Sequence, residues 1–250
     1  MPSRPNNKDD VFVTVKSADV GRTRNGEPLT ERSQDRILAA ALEVFAHRGF
    51  DGATTAEVAR RAGVTQPLVH YHFTTKDDLW RAAVSNVLDQ LGAHFGTSAR
   101  ELADLEPVAQ LKVLVRRLVH FSAAYPEFGR ILAYEGSQGG PRLDWLLSQE
   151  AAGQLRFFHD TLELGRADGW LKDLPVEHVA TCLAAASAYA FIVKDTMRSI
   201  YGIDVSDPDV IDRHADTVVE LFFHGLLPTA DRPGHPAEKN GAAHAGGNRG

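Results

Sequence analysis

Residues 54–73 read Thr54-Thr55-Ala56-Glu57-Val58-Ala59-Arg60-Arg61-Ala62-Gly63-Val64-Thr65-Gln66-Pro67-Leu68-Val69-His70-Tyr71-His72-Phe73. Thr54 followed three residues later by Glu57 fits a capping box at a helix start. Gly63 offers the left-handed turn that only glycine adopts cheaply. Thr65 stands where a second helix would be capped. Val58, Ala59, Ala62, Val64, Val69 and Phe73 form an apolar seam between the two helices. Helix, glycine turn, helix is the helix-turn-helix plan. In that plan the second helix enters the DNA major groove, about 12 Å wide.

The outward residues of the second helix suit such a role. Thr65, Gln66, His70, Tyr71 and His72 are hydrogen-bonding groups of moderate length. Glutamine can bond an adenine edge through two hydrogen bonds, and Pro67 offers apolar surface to a thymine methyl. Thr75 and Lys76 open the next helix, whose first N–H groups, with the lysine, suit a phosphate clamp. Residues 31–80 hold six Lys/Arg and seven Asp/Glu (6 − 7 = −1), so the segment is not basic overall. Arg22 and Arg24 in the preceding arm would add phosphate or minor-groove contacts. A glycine-linked helix pair with an apolar seam also arises as plain packing, and spacing alone leaves both readings open. His70 and His72 are two positions apart, about 200° around a helix, so their rings diverge and no metal site is expected.

Helical spacing continues on both sides of this stretch. Ile37, Ala41, Val44 and Phe45 repeat at i, i+4, i+7 and i+8, and Gly49 follows as a stop. Leu79, Ala83, Val84, Val87, Leu88 and Leu91 form a second stripe, and Val108, Leu111, Val115, Leu118 and Val119 a third. Pro126, Pro141 and Pro208 stand where helices open, with Asp207 as a cap. Gly169 and Gly202 stand where helices stop. The pattern predicts nine helices, over 31–48, 55–62, 66–72, 76–95, 107–123, 126–136, 141–167, 176–201 and 208–226. The fold class is all-α: an N-terminal three-helix helix-turn-helix module followed by a larger antiparallel helical bundle. The expected organisation is a flexible arm over 1–30, the DNA-binding module over 31–75, a ligand-binding and dimerisation bundle over 76–228, and a disordered tail over 229–250. That tail has five glycines, two prolines and none of Val, Ile, Leu, Met, Phe, Trp, Tyr or Cys. It cannot bury enough surface to offset its ordering entropy.

Composition bounds the function. The chain has 250 residues, a net charge of −6 and 43% hydrophobic residues, enough for a sizeable core. The acidic balance argues against coating nucleic acid by bulk charge, but not against a local DNA-reading surface. One cysteine, Cys182, excludes an internal disulfide framework and a four-thiolate zinc site. No apolar run of 18 residues marks a membrane span, and no secretory leader is evident, so a soluble cytoplasmic protein is expected. No nucleophile elbow, HExxH or P-loop pattern occurs, so no enzyme and no cofactor are expected.

Residues 36–80 resemble the DNA-binding segment of the TetR family of transcriptional regulators. The resemblance rests on Phe45-Ala46-His47-Arg48-Gly49-Phe50, Thr54-Thr55, Ala59-Arg60-Arg61-Ala62-Gly63-Val64-Thr65, His70-Tyr71-His72-Phe73 and Thr75-Lys76. It implies that Gln66 and Pro67 face bases and that His70 contacts a base or the backbone. It further implies that Thr55, Tyr71, His72 and Lys76 touch phosphates. Ala56 stands where a base-reading arginine occurs elsewhere in the family, and Leu68 replaces a polar contact residue, which implies a different operator.

The later helices are similar in length and order to the ligand-binding and dimerisation domain of that family. Phe121, Phe128, Trp145, Phe158 and Tyr189 are expected to line an effector cavity, with Glu135 and His178 as polar contacts; ordinary core packing accounts for the same aromatics. An aromatic lining with few charges favours a mainly apolar effector. Ser137-Gln138-Gly139-Gly140 reads as a gate or as a turn. The helices over 176–201 and 208–226 are expected to pair with their symmetry mates. Ala180, Ala184 and Ala188 would allow close approach, and Phe191, Val218, Leu221 and Phe222 would supply apolar area. The expected partners are thus a near-palindromic double-stranded DNA operator, a small-molecule effector and a second copy of the chain. A DNA-binding adaptor that answers to a protein partner is the alternative.

Overall fold

The computed structural model describes residues 29–96, 102, 104–148 and 152–226. The expectations for the N-terminal arm, including Arg22 and Arg24, and for the C-terminal tail lie outside the described residues. All elements are helices, with no strand among the described residues. The chain divides into two compact units between Asn86 and Val87.

In the first unit, α1 spans Leu29–Gly52 and its backbone leaves helical geometry at Gly49 (φ 68°, ψ 171°), where the sequence predicts the stop. α2 spans Thr55–Ala62, α3 spans Gln66–His72, and α4, over Lys76–Gly96, carries the unit boundary within it. The Thr54 hydroxyl accepts the Glu57 N–H at 3.1 Å, which starts α2. The Glu57 carboxylate does not return that bond; it pairs with Arg48 at 3.5 Å. At the other end Gly63 takes the left-handed conformation (φ 65°, ψ 38°). The Val64 N–H reaches the Ala59 carbonyl at 3.0 Å, a Schellman closure of the helix end. Only the backbone angle demands glycine here, because a Cβ would meet nothing within 4 Å. Arg36 of α1 donates to the Gly63 carbonyl at 3.1 Å and holds the turn. Val58, Ala59, Ala62, Val69 and Phe73 are buried with Ile37, Ala41, Val44 and Phe45, as their spacing predicts.

The second unit contains α5 (Pro107–Ala124), α6 (Pro126–Gln138), α7 (Pro141–Ser148), α8 (Ala152–Ala167), α9 (Val176–Ile192), α10 (Lys194–Tyr201) and α11 (Pro208–Leu226). α5, α9 and α11 pack mutually. Leu111, Val115 and Val119 meet Leu183, Phe191, Val218, Val219 and Phe223 in their shared core. The Asp207 carboxylate accepts the Asp209 N–H at 2.9 Å and caps α11, as expected. Gly139 (φ 68°) and Gly140 (φ 89°) form the turn between α6 and α7.

Of the helix expected over 141–167, the described residues give two helical stretches, Pro141–Ser148 and Ala152–Ala167, and the Ser148 hydroxyl bonds back to the Trp145 carbonyl at 2.7 Å. One expected long helix is divided. The helix expected over 176–201 bends by 72° after Ile192. No glycine or proline marks that bend. α6 packs against it: Gly129 lies so close that a Cβ would sit 3.1 Å from the Ile192 side chain. Arg130 beside it donates to the Ile192 carbonyl at 2.7 and 3.2 Å. The bond satisfies an acceptor freed where the helix breaks. Phe191 and Val218 are buried inside this core at 2% and 3% exposure, so they bind α9 to α11 rather than face a second copy. No single helix among the described residues is long and apolar enough to cross a membrane.

Candidate nucleic-acid interface

α3 is only seven residues long, and Val69 is its one fully buried side chain. Thr65, Gln66, Pro67, His70 and Tyr71 are all exposed, and Tyr71 is 77% exposed. Thr65 occupies the N-cap position with extended backbone, but its side chain makes no capping bond. The expected hydroxyl cap is therefore absent; the turn at Gly63 and the packing of Val69 set the helix start instead.

Three residues named from the sequence converge. The Gln66 side-chain amide donates to the Thr55 hydroxyl at 3.1 Å. The His70 Nε2 lies 3.4 Å from the same amide nitrogen and 3.4 Å from the Thr55 hydroxyl. Gln66 and His70 meet because they are four residues apart on one helix face. Thr55 joins them because α2 and α3 bring their first turns together. His72 is different: half-buried, its ring meets Tyr71 edge-on at 5.2 Å, and its Nε2 is buried with no hydrogen-bond partner among the described residues. The ring thus helps to hold Tyr71 outward.

The helix after α3 opens on a reciprocal cap. The Thr75 N–H donates to the Asp78 carboxylate at 3.0 Å, and the Thr75 hydroxyl accepts the Asp78 N–H at 3.0 Å. This reciprocal cap places Asp77 and Asp78 in the first turn, where they would repel a phosphate. Lys76 is bonded within its own unit. Its ammonium donates to the carbonyls of Phe50 (2.8 Å), Ala53 (3.2 Å) and Asp51 (3.4 Å) and lies 4.5 Å from the centre of the Phe50 ring. An ammonium has three donors, and all three are used. Lys76 staples the end of α1 to the start of α4. The sequence offered one signal for this, the interrupted helix end at Gly49-Phe50 with its unsatisfied carbonyls. Other cations are also engaged, Arg61 with Glu43 and Arg48 with Glu57. The face presented by α3 is consequently one of neutral hydrogen-bonding groups.

In the second unit, Phe121 and Phe128 are buried and meet edge-to-face at 6.1 Å, with Tyr125 5.0 Å from Phe121. Trp145 and Phe158 are half-buried. Glu135 is 2% exposed, and its two carboxylate oxygens share the Arg142 Nε–H, at 3.0 and 3.1 Å across the Gly139-Gly140 turn. His178 and Tyr189 stand at the surface, Tyr189 being 63% exposed. Sequence reasoning missed Ser187. It is fully buried in α9, and its hydroxyl has no partner among the described residues. Its spacing from Leu183 and Phe191 was the available signal. A separate cavity of about 200 Å³ lies between α9, α10 and α11, lined by Phe191, Met197, Val205 and His214. Among the described residues no group of three or more His, Cys, Asp or Glu is placed to hold a metal ion.

Comparison with known proteins agrees with both units. Residues 37–83 match the profile of the bacterial regulatory proteins of the tetR family. Residues 107–222 match that of a tetracyclin repressor-like C-terminal domain. The HTH-type transcriptional regulator RutR of Escherichia coli (strain K12) is 26% identical over 77% of this chain and 89% of its own. The HTH-type transcriptional repressor NicS of Pseudomonas putida is 28% identical over 78% of this chain and 93% of its own. Among solved structures, the ketosteroid transcriptional regulator KstR2 of Mycobacterium tuberculosis superposes with a TM-score of 0.61. It is 18% identical, over 78% of this chain and 95% of that one, and shows the shared fold.

Proposed function

The chain belongs to the TetR family of DNA-binding transcriptional regulators, and from that premise we propose that it is a homodimeric repressor released from its operator by a small, mainly apolar effector. The observation that carries the reading is the exposed polar face of α3, with Gln66 and His70 gathered on Thr55. Gln66 and Pro67 would face bases, and Thr55, Thr65, Tyr71 and Thr75 would meet backbone. The operator is near-palindromic because a two-fold dimer presents two copies of α3.

Dimerisation would use the outward faces of α9 and α11. Ala184 and Leu221 are exposed there, Leu221 at 69%, and Tyr189 adds a further apolar body. The effector would enter beside Phe121 and Phe128, with Trp145 and Phe158 as outer walls. Glu135 is already neutralised by Arg142, which leaves the lining without an unpaired buried charge and disfavours a charged metabolite. The unpartnered Ser187 hydroxyl supplies one polar anchor, since a buried hydroxyl without a bond costs free energy that a ligand can recover. The effector must bind the free and DNA-bound states unequally, or it shifts nothing.

Native mass spectrometry of the purified chain tests this directly. The reading expects a dimer with a co-purifying apolar ligand, whose addition releases DNA and changes Trp145 fluorescence, while Trp80, 1% exposed in α4, stays constant. A monomer at micromolar concentration would remove the paired half-sites. Release that is unaltered in a Trp145→Ala and Ser187→Ala chain would place the effector elsewhere.

A further inference from the structure

A glutamine that reads DNA can present two faces, a carbonyl acceptor and an amide donor. Adenine uses both, offering its N6 amino group as donor and N7 as acceptor. In this structure the donor face of Gln66 is already occupied. One N–H goes to the Thr55 hydroxyl at 3.1 Å. The His70 Nε2 lies 3.4 Å from the same nitrogen and accepts the second when the ring is neutral with its proton on Nδ1. The carbonyl oxygen of Gln66 is left for the base.

We propose that Thr55 is a positioning residue which makes Gln66 an acceptor-only reader, selective for a base that carries an amino group in the major groove. Two bases meet that requirement, adenine through N6 and cytosine through N4; guanine and thymine offer Gln66 only acceptors there. Holding the amide nitrogen removes the second bond by which glutamine ordinarily prefers adenine, so adenine and cytosine become near-equivalent. Thr55 suits this task because it is the first residue of α2, anchored by the cap at Thr54, and so stands on a different helix from Gln66. The proposal rests on the reading that α3 contacts bases.

The test is selection of binding sites from randomised duplexes by the full chain and by Gln66→Ala, Thr55→Val and Thr55→Ser variants. The position that loses its preference in Gln66→Ala is the one that Gln66 reads. At that position the natural chain accepts adenine and cytosine within about threefold. Thr55→Val, which keeps the shape but removes the hydroxyl, frees the amide and favours adenine over cytosine by about tenfold. Thr55→Ser restores the natural ratio. A weakening of Thr55→Val that is uniform across sequences reports only a lost backbone contact, and an unchanged base ratio in that variant overturns the proposal. Guanine or thymine at the Gln66-dependent position also overturns it. A natural chain that enriches no sequence defeats the DNA-reading premise itself, and with it the proposal; that result is distinct from enrichment with an unchanged ratio. Circular dichroism melting of Thr55→Val within about 2 °C of the natural chain shows that the variant is folded.

Discussion

Both units use cations to hold backbone and surface carboxylates, and they differ in that only the second buries an ion pair among the described residues. In the first, cations are spent at the surface on holding the scaffold: Arg36 on the Gly63 carbonyl, Arg61 on Glu43, Lys76 on the end of α1. What the unit shows to solvent on α3 is neutral. In the second, a carboxylate is taken inside, where Glu135 is held by Arg142. The difference separates two kinds of recognition. A face of neutral donors and acceptors reads bases by geometry and gains little from salt-sensitive attraction. A buried ion pair is costly to assemble and strongly destabilising to break, which makes it a natural place for a change of packing to register.

The largest expected effect lies in the second unit. Arg142→Ala strips the partner from a carboxylate that is 2% exposed, and it should cost about 3 kcal/mol in urea unfolding. Glu135→Gln, which removes the charge and keeps the shape, should cost clearly less. Equal losses in the two variants would mean that the pair acts by packing alone, and the contrast between the units would fail.

Lys76→Met comes next and sharpens the contrast from the other side. It removes three bonds from a cation to carbonyls, and should lower the stability of the first unit by about 2 kcal/mol. The salt dependence of DNA binding should keep its slope. A lysine that neutralises a phosphate behaves the other way: its loss reduces the slope by about one and leaves stability unchanged.

The smallest effect concerns pH. The Arg166 guanidinium bonds Glu163 and holds its carboxyl below the ordinary value, and the Ser206 backbone N–H does the same for Asp204. A depressed folded-state value means stability that is present above the unfolded value and lost as pH falls through the folded one. Both carboxylates are open to solvent, at 44% and 54% side-chain exposure. Acid titration below about pH 4 should therefore lower the melting temperature gradually, and Arg166→Ala should weaken that acid dependence. Stability that rises on acidification over this range would contradict the assignment.

The first unit was far more legible in the sequence than the second, for a physical reason. Its boundaries are written in local chemistry. Thr54 caps, Gly63 turns, and Val58 and Val69 face inward by helical spacing. Each signal acts within a few residues of the place it marks. The bend after Ile192 meets Gly129 and Arg130, more than sixty residues earlier in the chain. Nothing between Phe191 and Lys194 announces it. The same reasoning separates the site residues. The meeting of Gln66 and His70 was legible because helix periodicity places them on one face, whereas the bonds of Lys76 depend on carbonyls at Phe50 to Ala53 that no helical periodicity connects to it. Phe191 and Val218 looked like interface residues because apolar side chains have the same sequence pattern whether they meet their own chain or another.

The most direct test of the central claim is a footprint of the full chain on the operator recovered by selection, compared with that of Gln66→Ala. The account predicts two protected half-sites related by two-fold symmetry, with centres about 34–36 Å apart. In Gln66→Ala that protection should spread to unrelated sequences while the fold is kept. Protection of a single unsymmetrical site, or identical footprints for the two chains, would contradict it.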